Sequence, residues 1–124
     1  AYNSVLSYGE SKLANILFTR ELARRAAADR VIAHAVHPGV VRTNFAGEGD
    51  GAAWFALGMS LIKPFLLSPA RGAKTSLHCA LSPDAGTSTG EYWARSRRKR
   101  TSKAGRDDAA ATRLWEASEA LVKL

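Results

Sequence analysis

Several ingredients are scarce in this chain, and each scarcity removes a class of explanation. The only cysteine is Cys79, so no disulfide framework can form within the chain. It sits in an apolar helical run and reads as a small packing residue rather than a nucleophile. His34, His37 and His78 are the only histidines. They lack zinc-ligand spacing and have no second cysteine beside them, which argues against a metal site. Long apolar runs are missing too. The richest stretch, Trp54 to Leu67, is broken by Gly58, Lys63 and Pro64, and it falls short of the roughly 20 apolar residues a bilayer span needs. No N-terminal signal segment is visible, and the expected location is cytoplasmic. No internal repeat appears.

The charge is plentiful but local. The net charge is +7, and residues 95–106 alone hold seven Lys/Arg and no acid. The remainder carries eleven charges of each sign, so the rest of the chain is neutral. A basic run of this kind can bind nucleic acid or anionic lipid through phosphate contacts. Aromatic residues that would stack bases are absent from it, so nucleic acid is not expected as a partner. The segment 95–106 reads as a solvated basic loop.

Tyr8-Gly9-Glu10-Ser11-Lys12 is the most informative stretch. Residues four apart share a helical face, so Tyr8 and Lys12 can meet one turn apart. A free phenol ionises near pH 10, too high for a base at neutral pH. A cation fixed beside a phenol favours its ionised form and brings it towards the range of general acid/base catalysis. About thirty residues on, His34-Ala35-Val36-His37-Pro38-Gly39-Val40-Val41-Arg42-Thr43 reads as a strand running into a Pro-Gly turn. Pro38 fixes φ, and Gly39 permits a turn that lets backbone approach a planar ligand closely.

These two runs, Tyr-x-x-Ser-Lys-x-x-Asn and His-Pro-Gly-x-x-x-Thr, resemble the short-chain dehydrogenase/reductases, most closely the retinol-dehydrogenase-like branch, and the likeness extends over the whole chain. The resemblance implies an oxidoreductase that moves a hydride between NAD or NADP and an alcohol or carbonyl substrate. Tyr8 and Lys12 would be catalytic and would also contact the cofactor. Pro38, Gly39, Val40, Val41 and Thr43 would hold its nicotinamide end, with the backbone near Val41 pairing with the carboxamide and Thr43 bonding the carboxamide or the pyrophosphate. It also implies a homo-oligomer in the intact enzyme.

The same comparison shows what these 124 residues do not hold. A dinucleotide fold needs a Gly-rich turn after its first strand. Gly47-Glu48-Gly49-Asp50-Gly51 mimics the spacing, but no strand precedes it, and two acids would face a phosphate. The family's catalytic Ser and structural Asn find no counterpart, since Ser4 and Ser7 lie too close to Tyr8. The expected fold class is therefore α/β, the second half of a doubly wound parallel sheet, with residues 1–124 as the C-terminal part of a single NAD(P)-binding domain. Such a piece, taken alone, is expected to be inactive and to self-associate or order only in part. NAD versus NADP is left open, because the residue that reads the ribose 2′-position follows the second strand.

The element order is read as follows. A helix runs over residues 7–28, with Ser7 and Glu10 as a capping box. Leu13, Ile16 and Leu17 form one apolar stripe; Ala14, Phe18, Leu22 and Ala26 form another. Two stripes suit a helix that packs on a sheet and also on a partner subunit. Residues 31–36 make a strand buried in a parallel sheet. Residues 44–67 would be a substrate lid by the family resemblance, and an apolar lid implies a lipophilic substrate. A helix completing the core and association with a membrane surface are the other readings of that segment. Ser68-Pro69 starts a helix and Ser82-Pro83 stops it, with Ala73, Leu77, Ala80 and Leu81 facing a core. Residues 90–94 make the last strand. Asp107 or Asp108 caps a final helix whose apolar side is Leu114, Trp115, Ala117, Leu121 and Val122.

Overall fold

The computed structural model describes residues 4–41 and 67–122. Helix α1 spans Ser4–Arg25, three residues earlier at each end than expected. Ser7 and Glu10 therefore lie inside the helix and form no capping box. With no glycine available, the chain leaves α1 through Arg30 in the left-handed region, at φ 58°. Arg24 and Arg25 in the last turn suit the negative end of the helix dipole. Strand β1 is His34–His37, shifted three residues C-terminal at its start. Val31 and Ile32 stay about half exposed in the connection.

Helix α2, Pro69–Leu81, follows the sequence signals at both ends. The Ser68 hydroxyl accepts from the Arg71 N–H, Pro69 occupies the first turn, and Ser82 closes the helix through an N–H bond to the His78 carbonyl. Strand β2 is Glu91–Ala94. The basic segment read as a loop instead folds back as strand β3, Arg97–Lys99. Helix α3, Asp108–Val122, is capped as expected, with the Asp107 carboxylate accepting from the Ala110 N–H at 2.9 Å.

The sheet order is β1-β2-β3. β1 and β2 run parallel with His34 opposite Glu91, and β2 and β3 run antiparallel with Trp93 opposite Arg98. This is an α/β arrangement with a small mixed sheet, compatible with part of a Rossmann-like fold. Among the described residues the outer edge of β1 has no partner strand, which explains why its side chains are only half-buried. α1 runs antiparallel to β2. Its C-terminal half lies at the strand entrance, where a β-carbon on Gly90 would sit 3.3 Å from Ala23.

Among the described residues the buried apolar side chains are Leu17, Ala23, Ala85, Trp93 and Ala111. Trp93 is held between two imidazoles, His34 at 5.6 Å and His78 at 5.3 Å between ring centroids. Two helix faces differ from expectation. α2 turns Gly72 and Thr75 inward and leaves Leu77 and Leu81 exposed. Gly72 has no β-carbon, so it admits Val41, whose Cγ2 occupies that space. The expected apolar face of α2 thus points outward. In α3, Leu114 and Trp115 are half-buried while Ala117, Leu121 and Val122 are exposed.

The second stripe of α1 also finds an occupant within the chain. Phe18 stacks on Trp115, with ring centroids 5.2 Å apart, and the Arg25 guanidinium lies 4.9 Å from the Trp115 ring centroid. Between α1 and α3 sits a buried carboxylate, Glu21, which nothing in the apolar pattern marked. It accepts from Arg24 Nε at 2.9 Å, from Arg25 Nε at 2.7 Å, and from the Thr112 hydroxyl at 3.4 Å. The Arg24 hydrogen bonds hold its pKa at about 2, against an opposing push from desolvation.

A carboxyl whose folded pKa lies below its unfolded one stabilises the fold above the unfolded value, and that contribution disappears as pH falls through the folded value. The window for Glu21 is therefore about 4.5 down to about 2. Thermal midpoints of an intact dehydrogenase domain carrying this segment and of its Glu21→Gln variant are expected to differ by a constant gap above the window and to converge at its acid end. A gap that persists unchanged there would contradict this linkage.

Candidate functional site

Tyr8 and Lys12 lie in the N-terminal half of α1. Their helical spacing brings them together: the Lys12 ammonium sits 5.0 Å from the centroid of the Tyr8 ring. Both side chains face solvent, and Tyr8 is 65% exposed. Ser11 donates its hydroxyl to the Tyr8 carbonyl at 2.7 Å, so it braces the turn that carries the pair. Ile16 lies near the β3 side of the sheet, its Cγ2 3.5 Å from the β-carbon position of Gly105. Tyr8 is eight residues earlier, about 12 Å further along the helix axis.

The Pro38–Gly39 turn directly follows the carboxyl end of β1. Gly39 has φ +84°, and its N–H donates to His37 Nδ1 at 2.8 Å. The close neighbour on its Cβ side is Leu67, whose Cδ1 would lie 2.6 Å from an added β-carbon. Glycine is thus required here for packing on Leu67 as well as for its dihedral, a different reason from the ligand approach expected. Leu67 also donates its N–H to the Val40 carbonyl at 2.9 Å and bridges Val41. Thr43 and most of the 44–67 segment lie outside the described residues.

A cavity of about 750 Å³ opens beside this turn. Pro38, Gly39 and Val40 line it, but Tyr8 and Lys12 do not. Across from them are Arg71 and Lys74 of α2 and Arg95 of the β2–β3 turn. Sequence reasoning missed this convergence. Arg71 and Lys74 are three apart and so share a helical face, a legible signal. The approach of Arg95 depends on the hairpin, which was not anticipated. Arg95 and Ser96 both have φ 54°, as a two-residue hairpin turn demands. Left-handed backbone at a residue other than glycine costs about 1–3 kcal/mol. Part of that is offset where the Ser96 N–H donates to the buried Thr75 hydroxyl at 3.1 Å.

Elsewhere the chemistry is quieter. Cys79 is half-buried, and burial pushes its thiol pKa upward, opposite to what a nucleophile needs. Asp84 is held below the ordinary carboxylate range, first by a hydrogen bond with Ser82 and also by the nearby His78. Among the described residues no three His, Cys, Asp or Glu side chains gather as metal ligands. None of the described helices is long and apolar enough to cross a membrane.

The sequence aligns over nearly its whole length with proteins of one kind. It is 44% identical over 117 residues to retinol dehydrogenase 12 of Mus musculus, covering 94% of this chain and 36% of that protein. It is 37% identical over 125 residues to retinol dehydrogenase 14 of Homo sapiens, covering 100% and 37%. With the human dehydrogenase/reductase SDR family member 13 it shares 40% over 123 residues, covering 95% and 31%. This chain belongs to the short-chain dehydrogenase/reductase family. It spans little more than a third of the length of these relatives. No protein-family model matches it.

Membership gives the Tyr8–Lys12 contact a chemical context. An exposed phenol with an ammonium against its ring has the composition of an acid/base pair in short-chain dehydrogenases. The residues present suit the reactive end of a nicotinamide cofactor: two polar side chains open to a ligand and a Pro-Gly turn at the end of a strand. The sequence offers no Gly-rich turn for the pyrophosphate end.

Proposed function

We propose that this chain is the C-terminal part of an NAD(P)-dependent short-chain dehydrogenase/reductase domain acting on an alcohol or its carbonyl. The observation that carries the reading is the Lys12 ammonium 5.0 Å from the Tyr8 ring centroid on an open helical face. Tyr8 delivers a proton to the carbonyl oxygen in reduction, or takes one from the hydroxyl in oxidation. Lys12 favours the ionised phenol and donates to the ribose hydroxyls. Pro38, Gly39, Val40 and Val41, with Thr43 beyond the described residues, bound the nicotinamide end. A bound nicotinamide supplies or accepts the hydride, and the protein contributes position and electrostatics. The apolar composition of 54–67 supports a lipophilic substrate, as do the relatives named retinol dehydrogenases. We also propose a cytoplasmic location and a homo-oligomer for the intact enzyme, though Phe18, part of the stripe that suggested a partner subunit, is stacked on the chain's own Trp115.

The test is a chimera in which this chain replaces the matching segment of mouse retinol dehydrogenase 12. A folded chimera that oxidises an alcohol with NAD or NADP, while the 124-residue chain alone does not, is the expected result. A folded, cofactor-binding chimera without turnover would instead favour a catalytically inactive remnant.

A further inference from the structure

The cavity beside the Pro38–Gly39 turn has a charge pattern that the oxidoreductase reading does not use. Among the described residues three cations line it, Arg71, Lys74 and Arg95, and no acid does. Among the described residues none of the three makes an ion pair; the side-chain pairs formed by arginines are those of Arg20, Arg24, Arg25 and Arg98. Three like charges around one concavity repel one another, and an anion between them relieves that repulsion. The rest of the wall is apolar at Pro38, Val40, Leu67 and Ala94.

The turn that supplies Arg95 is a second, independent observation. Asn-Gly or Gly-Gly is the usual occupant of a two-residue turn with both φ values positive. Here Arg95 and Ser96 hold that conformation at φ 54° each, and the turn is anchored to α2 by the Ser96–Thr75 bond. That anchor fixes Arg95 on the same rim as Arg71 and Lys74. A residue poorly suited to its backbone, held by a buried partner and pointed into a cationic cavity, marks a place where the side chain matters more than local comfort.

We infer that this cavity is an anion-binding site, taking a single carboxylate or phosphate group carried on an apolar molecule. The guanidinium groups give directional, charge-assisted hydrogen bonds to such a group, and the apolar wall desolvates what is attached to it. The anion can belong to a free small molecule or to a lipid headgroup. Tyr8 does not line the cavity, whereas Pro38, Gly39 and Val40, placed at the nicotinamide end under the proposed function, do, so the anion site adjoins that end and its test is made without cofactor.

The folded chimera, free of cofactor, is titrated calorimetrically with monomeric decanoate, with decanol as its neutral counterpart, and with vesicles containing phosphatidic acid. Decanoate is expected to bind about tenfold more tightly than decanol, the value of one charge-assisted contact. Arg95→Gly and Arg71→Gln should each erase most of that preference. Arg95→Gly suits the left-handed backbone, so its fold should survive, and a cooperative urea transition verifies this; Lys74→Gln on the exposed helix face is a third variant. Binding to the vesicles but not to monomeric decanoate, with the same dependence on Arg95, would support the site and assign the anion to a headgroup. Equal affinity for decanoate and decanol, or binding indifferent to all three substitutions, would overturn the inference. Tyr8→Phe should leave decanoate affinity unchanged, which keeps this result separate from the fate of the oxidoreductase reading.

Discussion

Replacing Tyr8 by phenylalanine in the chimera is expected to lower turnover by roughly 100- to 10,000-fold, the usual contribution of a positioned proton donor. Cofactor affinity should barely move. The substitution removes one oxygen and leaves the ring. The ring is what the Lys12 ammonium lies against, and Tyr8 is exposed, so little packing depends on it. Lys12→Met should weaken cofactor binding more than Tyr8→Phe, because Lys12 is assigned both the phenol and the ribose hydroxyls. Steady-state kinetics with a parallel NADPH and NADH fluorescence titration separates the two effects. Substantial turnover by Tyr8→Phe would remove Tyr8 from the mechanism. A cofactor dissociation constant unchanged by Lys12→Met would remove the ribose contact.

The largest structural effect is expected at Trp93. Its side chain is 3% exposed and fills the space between His34 on β1 and His78 on α2. Truncating a buried aromatic to alanine costs about 3–5 kcal/mol, because the transfer energy is lost and the cavity only partly collapses. The whole stability of a domain is about 5–15 kcal/mol, and among the described residues few other apolar side chains are fully buried, so Trp93→Ala should remove a large part of the stability of the chimera. Urea unfolding followed by circular dichroism gives the measurement. Trp93→Phe should recover part of the loss, since it refills most of the volume and omits an indole N–H that has no hydrogen-bond partner in the protein. A Trp93→Ala midpoint equal to that of the unsubstituted chimera would show that the sheet and α2 are not held together through this residue.

Local chemistry was legible in the sequence where a short run of residues decides the outcome. Ser68-Pro69 and Ser82 bound α2 because a hydroxyl cap, a proline in the first turn and a proline after the last act within a few residues of themselves. Asp107 caps α3 for the same reason. Tyr8 and Lys12 meet because a helix fixes the separation of residues four apart, whatever surrounds it. The family, too, was readable from two motifs at the right separation, and alignment with the retinol dehydrogenases agrees.

What depended on distant residues was not legible. The inward face of α2 was decided by Val41, which fits only against a residue without a β-carbon and so selects Gly72 over the more apolar Leu77 and Leu81. Glu21 has the appearance of a surface acid in sequence. It is buried because two arginines on its own helix and Thr112 of α3 satisfy it. The basic segment looked like solvated loop because its charge says nothing of pairing; β2 offers Tyr92, Trp93 and Ala94 as ladder partners, and that turns Arg97–Lys99 into a strand. The same hairpin carries Arg95 to Arg71 and Lys74. Helical spacing and capping are properties of a few consecutive residues, so the sequence by itself determined the Tyr8–Lys12 contact, the ends of α2 and the start of α3. Burial and charge convergence are properties of whichever surfaces meet, and only the tertiary structure decided those.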